Sequence, residues 1–168
     1  MIQKPVTELN RIRKGSKVTK AIEVTEETYL IDVNHELVEV NLAVTLKEAE
    51  EFSLTIHHSS DEKTSIRYNR ITNVLSVDRT QSGEHAFSDS FPGISECPVA
   101  LIDDTLSLQL FLDVSSLEVF AQGGREVLTN LIFPQGTNHT LSLTANGGSA
   151  KVEELLVTEL STIWGKEV

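Results

Sequence analysis

Apolar and polar residues alternate along most of this chain. Between Glu36 and Leu46, the residues Val38, Val40, Leu42, Val44 and Leu46 share one parity, and Glu39, Asn41, Ala43 and Thr45 share the other. A period of two sends successive side chains to opposite faces of a half-buried strand. Phe52, Leu54 and Ile56 continue the scheme, as do Ile66 and Tyr68, Leu75 and Val77, and Leu141 and Leu143; Thr28 to Val33 and Val152 to Leu160 are further strands. The clearest run is Leu106 to Pro134. Leu106, Leu108, Leu110 and Leu112 take one face, and Ser107, Gln109 and Asp113 the other, with Phe111 as the apolar exception. A tight turn at Ser115–Ser116 and a second at Gly123–Gly124 divide this run into a three-stranded meander, because Gly-Gly supplies the positive φ of a primed hairpin turn.

One helix is expected, over Pro5–Lys14. Pro5 suits its first turn, Val6, Leu9 and Ile12 recur along it, and Gly15 suits its stop. The remaining pattern gives about eleven or twelve strands with turn residues between them, which predicts two packed antiparallel sheets. The fold class is therefore all-β: a β-sandwich of the jelly-roll or concanavalin-like kind with one short N-terminal helix. Residues 1–15 form the helical lead-in and 16–168 the sandwich, with no internal repeat and no low-complexity segment.

Three ordered stretches carry a family resemblance. Asp113-Val-Ser-Ser-Leu-Glu-Val-Phe120, Gly124-Arg-Glu-Val-Leu-Thr129 and Ile132-Phe-Pro134 form the first. Leu75-Ser-Val-Asp-Arg-Thr-Gln-Ser-Gly83, followed by Phe87 and Phe91-Pro92, forms the second, and Gln3-Lys-Pro-Val-Thr-Glu-Leu9 the third. Together they resemble the C-terminal region of glycoside hydrolase family 32, the family of levanases, exo-inulinases, invertases and sucrose-6-phosphate hydrolases. The resemblance implies a β-sandwich appended to a five-bladed catalytic propeller that this sequence does not contain, with residues 1–15 as the linker following it. It also implies a parent protein that hydrolyses fructosyl bonds in sucrose or fructans by a retaining mechanism. The form of the second stretch leans towards the levanase and exo-inulinase types.

Net charge is −11. A phosphate backbone or an anionic membrane is repelled by such a chain, so neither is an expected partner. No apolar run approaches the roughly 20 residues of a membrane span, and the N-terminal residues have no apolar core of the signal-peptide kind. A single cysteine, Cys97, excludes an internal disulfide and a multi-cysteine zinc site. These features leave the compartment open: extracellular if levanase-like, cytoplasmic if like a sucrose-6-phosphate hydrolase.

Glu96-Cys97-Pro98 resembles the motif that holds the acid/base glutamate of the family, but it lies between the two C-terminal stretches, in an expected loop from Pro92 to Pro98. Retaining hydrolysis needs two carboxylates about 5 Å apart across one bond. The nucleophilic aspartate of the family stands before a proline, and no Asp-Pro occurs here. No catalytic residue is therefore assigned. A polar set remains: Asp78, Arg79, Asp113, Glu118 and Arg125. A guanidinium between carboxylates makes a rigid array that either pins a sheet or holds sugar hydroxyls. Arg79 shares the parity of Leu75 and Val77 and joins the set only where the strand ends or bulges.

The adjacent His57 and His58 point to opposite faces and cannot share a metal, so one is expected inside and one in water. No metal and no cofactor is expected. Trp164, Tyr29 and Tyr68 are few for an aromatic sugar platform, and Trp164 is expected to pack the C-terminal tail. The expected task is non-catalytic: packing on the propeller, with subunit or substrate contacts and homo-oligomerisation as further roles. The rival is an independent fructan-binding or carbohydrate-binding module.

Overall fold

The structure is a computed structural model and describes residues 1–163. Trp164 and the expectation placed on it lie outside the described residues. A 3₁₀ turn (Thr7–Arg11) precedes twelve strands among the described residues: β1 (Arg13–Val24), β2 (Tyr29–Asp32), β3 (Val38–Thr45), β4 (Glu51–His57), β5 (Lys63–Asn69), β6 (Val74–Gln81), β7 (Ile94–Pro98), β8 (Thr105–Asp113), β9 (Ser116–Ala121), β10 (Glu126–Leu131), β11 (Thr140–Asn146) and β12 (Ala150–Leu160). They form two six-stranded antiparallel sheets. The first has the order β1-β12-β3-β8-β9-β10 and the second β2-β11-β4-β5-β6-β7.

The residues that alternate in sequence fill the space between the sheets. Val38, Val40, Leu42 and Val44 of β3 and the four leucines of β8 face Phe52, Leu54 and Ile56 of β4, Ile66 and Tyr68 of β5 and Leu75 and Val77 of β6 in one buried core. Tyr68 is fully buried, and its hydroxyl lies 3.0 Å from the Val99 carbonyl and 3.1 Å from Asn73 Oδ1. Where the two sheets meet at one edge, Ser95 Oγ of β7 donates to Asn130 Oδ1 of β10 at 2.9 Å.

Three features depart from the sequence reading. The helix expected over Pro5–Lys14 is a 3₁₀ turn of five residues. The repeat of Val6, Leu9 and Ile12 is a period of three, which is the 3₁₀ period and not 3.6. Arg13 and Lys14 already belong to β1, a strand the alternation did not reveal. It is an edge strand whose first nine residues are mostly exposed on both faces, and edge strands carry lysines that discourage further pairing. The Pro92–Pro98 loop contains β7, an edge strand of the second sheet, where Pro98 is tolerated at the strand end.

Phe111 also finds its reason. It stands on the outer face of the first sheet with Phe120, ring centroids 6.1 Å apart at 87°. The N-terminal segment crosses this face. Lys4 to Ile12 lie over Phe111, Phe120, Leu37 and Leu160 and leave a groove of ≈ 460 Å³ between. One end of the segment is tied by Gln3 N–H donating to the Gly124 carbonyl at 2.8 Å. A Cβ on Gly124 would stand 1.7 Å from the Gln3 carbonyl oxygen, so glycine is what lets the two backbones meet.

The other end is tied by Glu39, whose side chain is 1% exposed. Its carboxylate accepts from Arg13 Nε at 2.5 Å and Nη2 at 2.8 Å, from Asn41 Nδ2 at 2.9 Å and from Gln109 Nε2 at 2.7 Å. Burial alone would push this carboxyl up; the bonds from Arg13, Asn41 and Gln109 outweigh it and hold it below the ordinary carboxylate range. Stability from this group is present above the ordinary carboxyl pKa and is lost as pH falls through the lower folded value. Glu39→Ala is expected to cost about 2–3 kcal/mol in urea unfolding at pH 7. That is the lower side of breaking a buried ion pair, because Arg13 keeps part of its side chain in water.

Candidate functional site

The five polar residues singled out by sequence are spread over both sheets and the seam between them. Asp78, on β6, accepts from the Thr80 N–H at 3.0 Å, the Thr80 hydroxyl at 2.7 Å and Arg67 Nη2 at 3.3 Å. Burial would raise its pKa, but the Thr80 bonds and the Arg67 charge prevail and hold it low. β6 does bulge at Arg79–Thr80, opposite Thr64, yet Arg79 reaches the seam between the sheets and not the other members of the set. Its guanidinium lies 4.3 Å from the centroid of the Phe91 ring, and Nη1 donates to the Leu131 carbonyl at 3.4 Å. Asp113 accepts from the Val114 N–H at 2.7 Å and so shapes the turn before β9. Glu118 stands across from Phe111 on the outer face of the first sheet, in the groove that Lys4 also lines. Arg125 is exposed in the turn at the far end of the β9–β10 hairpin. Asp78, Arg79 and Asp113 thus each take partners outside the set.

What Arg79 does bring together is an aromatic corner. Phe91 stacks on Phe133 with centroids 5.4 Å apart, Phe87 meets Phe133 edge-on at 5.6 Å, and Phe87 and Phe91 are 4.8 Å apart. The backbone locks the corner through Phe133 N–H to the Ser82 carbonyl at 3.1 Å and Glu84 N–H to the Phe133 carbonyl at 2.9 Å. Gly83 sits between with φ +106°, and a Cβ there would stand 2.0 Å from the Phe133 oxygen. Phe87 is 61% exposed at this corner. The stretches that carried the family resemblance, Leu75–Gly83 with Phe87 and Phe91, and Ile132–Pro134, converge here.

Two further polar features sit elsewhere. The Glu39 array lies on the outer face of the first sheet; sequence parity marked Glu39 as outward-facing but did not show the segment that buries it. Beside it, Asn41, Ser107, Gln109, Phe120 and Glu154 line a shallow groove of ≈ 250 Å³. Of the adjacent histidines, His58 is buried and His57 half-buried, His57 Nε2 lying 2.8 Å from Ser142 Oγ. No group of three or more His, Cys, Asp or Glu gathers in metal-binding geometry among the described residues. Glu96 is exposed on the edge strand β7, in register with Ser76.

The class is an all-β sandwich of two six-stranded antiparallel sheets with a segment crossing the outer face of the first. Residues 8–159 match the family model described as glycosyl hydrolases family 32 C terminal, and the chain belongs to that family. It is 31% identical over 170 residues to a levanase of Bacillus subtilis (strain 168), covering 98% of this chain and 25% of that protein. It is 30% identical over 145 residues to the extracellular exo-inulinase inuE of Aspergillus niger, covering 83% of this chain and 25% of that protein. The crystal structure of exo-inulinase from Aspergillus awamori superposes with a TM-score of 0.83 at 24% identity, over 97% of this chain and 33% of that one. The chain therefore spans about a quarter to a third of the proteins it resembles.

Arg79→Met is expected to cost about 1–2 kcal/mol, the sum of an exposed cation–π contact and one hydrogen bond to a carbonyl. In NMR spectra it should weaken the cross-peaks between the Phe91 and Phe133 rings while leaving core cross-peaks such as Leu54–Ile66 intact. Gly83→Ala is expected to cost more than Arg79→Met, because it meets both a positive φ and the Phe133 carbonyl.

Proposed function

We propose that this chain is the non-catalytic C-terminal sandwich of a β-fructosidase that hydrolyses fructosyl bonds in sucrose or fructans, and that it stabilises a catalytic propeller in the same longer protein. The observation that carries the reading is the family match over residues 8–159 together with relatives about three to four times as long. Glu96 supports it from the chemical side, since it stands exposed on an edge strand with Ser76, not a second carboxylate, opposite it.

The face that meets the propeller is the aromatic corner, with Phe87 at its exposed side. Three packed phenylalanine rings with one of them 61% exposed suit a contact surface. The five polar residues then serve the fold: Asp78 ties β6 to β5 through Arg67, Arg79 props the corner, Asp113 fixes the turn before β9, and Glu118 and Arg125 lie along the hairpin beside the N-terminal crossing.

The test is incubation of this chain with sucrose, levan and inulin. No fructose release above the uncatalysed rate is expected, with or without Glu96→Gln. Enzymatic release that Glu96→Gln abolishes would overturn the reading. In a protein carrying both domains, Phe87→Ser is expected to lower the thermal midpoint of the catalytic part while leaving that of the isolated sandwich within about 2 °C, as for a surface change.

A second reading, an independent sugar-binding module, is favoured by one observation: the ≈ 250 Å³ groove has amide, hydroxyl, carboxylate and aromatic groups on one wall. Calorimetric titration with fructose, sucrose and levan oligosaccharides separates the two. Binding that disappears in Gln109→Ala would establish the module; absence of heat at millimolar sugar supports the structural role.

A further inference from the structure

Behind the aromatic corner lies a buried chain of polar side chains that the proposed function does not use. Ser82 Oγ is 2.6 Å from Thr64 Oγ1, and Thr64 Oγ1 is 2.8 Å from His58 Nε2. His58 Nδ1 is 3.3 Å from His139 Nδ1, with the two rings edge to face at 5.0 Å. His139 Nε2 is 3.3 Å from the Glu36 carbonyl. All four side chains are at most 4% exposed.

The relay ends in two acceptors, the Glu36 carbonyl 3.3 Å from His139 Nε2 and the Lys63 carbonyl 3.2 Å from Ser82 Oγ, and with both imidazoles neutral only one of them can receive a hydrogen. With the Glu36 end filled, His139 carries its proton on Nε2 and offers a lone pair at Nδ1. His58 must then donate from Nδ1 and accept at Nε2. Thr64 donates to His58 and accepts from Ser82. In this neutral arrangement the hydrogen bonds run one way, from Ser82 to Glu36, and the Lys63 carbonyl is left for the reversed one.

We propose that this relay is an acid-sensitive latch, taking one proton by reversing its hydroxyl half and opening on the second. The first proton adds to His58 Nε2. The Thr64 hydroxyl then turns its hydrogen to Ser82, and the Ser82 hydroxyl turns to the Lys63 carbonyl, which already lies 3.2 Å away. No other bond to hydrogen forms or breaks, and His58 still donates to His139. A second proton, on His139 Nδ1, would place two N–H groups face to face at 3.3 Å with no lone pair between them. The contact must then part.

The contact it holds joins two loops. His58 follows β4, and its carbonyl is packed so closely on Gly136 that a Cβ there would stand 1.8 Å away. Glu62 completes the junction, its carboxylate accepting from the Gln135 N–H at 2.9 Å and the Gly136 N–H at 3.4 Å. Ser82, at the other end of the relay, accepts the Phe133 N–H and precedes Gly83. Opening the latch therefore loosens the loop from Phe133 to His139 and, with it, the aromatic corner.

The charged and titratable neighbours act as follows. Burial, then His139 and His57, depress His58 to about 4. Burial depresses His139, while Glu36 pulls it the other way. His57 is itself held down by burial and by Lys63 of β5, Glu62 is committed to the loop N–H groups, and His85 and Glu84 follow Ser82, bonded to the Gly83 carbonyl and the Ala86 N–H. With folded values depressed, stability is complete above the unfolded histidine value near 6.5 and is lost as pH falls from there towards about 4. Each excluded proton lowers the folded-to-unfolded ratio by about tenfold per pH unit across that window.

The experiment is a two-bond ¹H–¹⁵N correlation of the histidine rings of this chain between pH 8 and pH 4. The latch is a property of this chain alone, so the result stands whether or not the corner docks a propeller. The expected result is the Nδ1–H tautomer at His58, the Nε2–H tautomer at His139, and neutrality of both at the ordinary histidine value of about 6.5. At lower pH, exchange of the amides from 133 to 139, normalised to intrinsic rates, should rise more than tenfold while β8 stays protected. Thr64→Val removes the hydroxyl that the first proton needs, and should move His58 protonation to still lower pH. An Nε2–H tautomer at His58, half-protonation of His58 near the ordinary histidine value of about 6.5, or an unchanged His58 titration in Thr64→Val would each overturn the proposal. Should Thr64→Val fail to fold, the tautomers of the unsubstituted chain decide it.

Discussion

The structure depends on covering the outside of its first sheet. Phe111 and Phe120 project there, on a face where the neighbouring strands offer Glu39, Asn41 and Gln109. A sandwich has no third layer for such a face, so the N-terminal segment supplies one. It is held at one end by a backbone bond across Gly124 and at the other by Arg13 reaching a buried carboxylate. The carboxylate is stable there because four donors surround it, and the donors are placed because β3 and β8 are in register, Asn41 opposite Gln109. Remove the carboxylate and the apolar face loses its cover at the same moment.

This arrangement gives the N-terminal residues a structural meaning. In proteins three to four times as long, a segment lying across the sandwich in this way fixes the angle at which preceding residues leave it. The aromatic corner, on the seam between β7 and β10, is the point of contact in the proposed packing on a propeller. The histidine relay lies directly behind that corner, so the proposed latch acts on the corner before the core.

The sequence made the central strands legible because each has one dry face and one wet one. β3, β4, β5, β6, β8 and β11 follow the alternation of Val38 to Leu46, Phe52 to Ile56, Leu106 to Leu112 and their partners. The edge strands β1 and β7 escaped because exposure on both faces erases the period, and a proline at 98 pointed to a loop. Parity placed Asp78 and Asp113 correctly off the core but could not say that they belong to different sheets. Nor could it show Glu39 under its cover, since an outward residue in a strand reads as solvated until the segment crossing above it is known. That one of His57 and His58 turns inward was legible, though not that it is His58. Its partner His139 lies 81 residues away and is brought to it only by the antiparallel pairing of β4 with β11.

The most direct test of this account is amide hydrogen exchange at Gln3 and Ile12, which donate to the Gly124 and Leu9 carbonyls. The account predicts that the Gln3 amide, near the chain end and outside any strand, exchanges at least tenfold more slowly than an unstructured peptide of the same sequence. It also predicts that Glu39→Ala returns it to the peptide rate while Tyr68 in the core stays protected. A Gln3 amide that exchanges like the free peptide in the unsubstituted chain would contradict it, and the N-terminal segment would then be a loose tail and not the third layer of the sandwich.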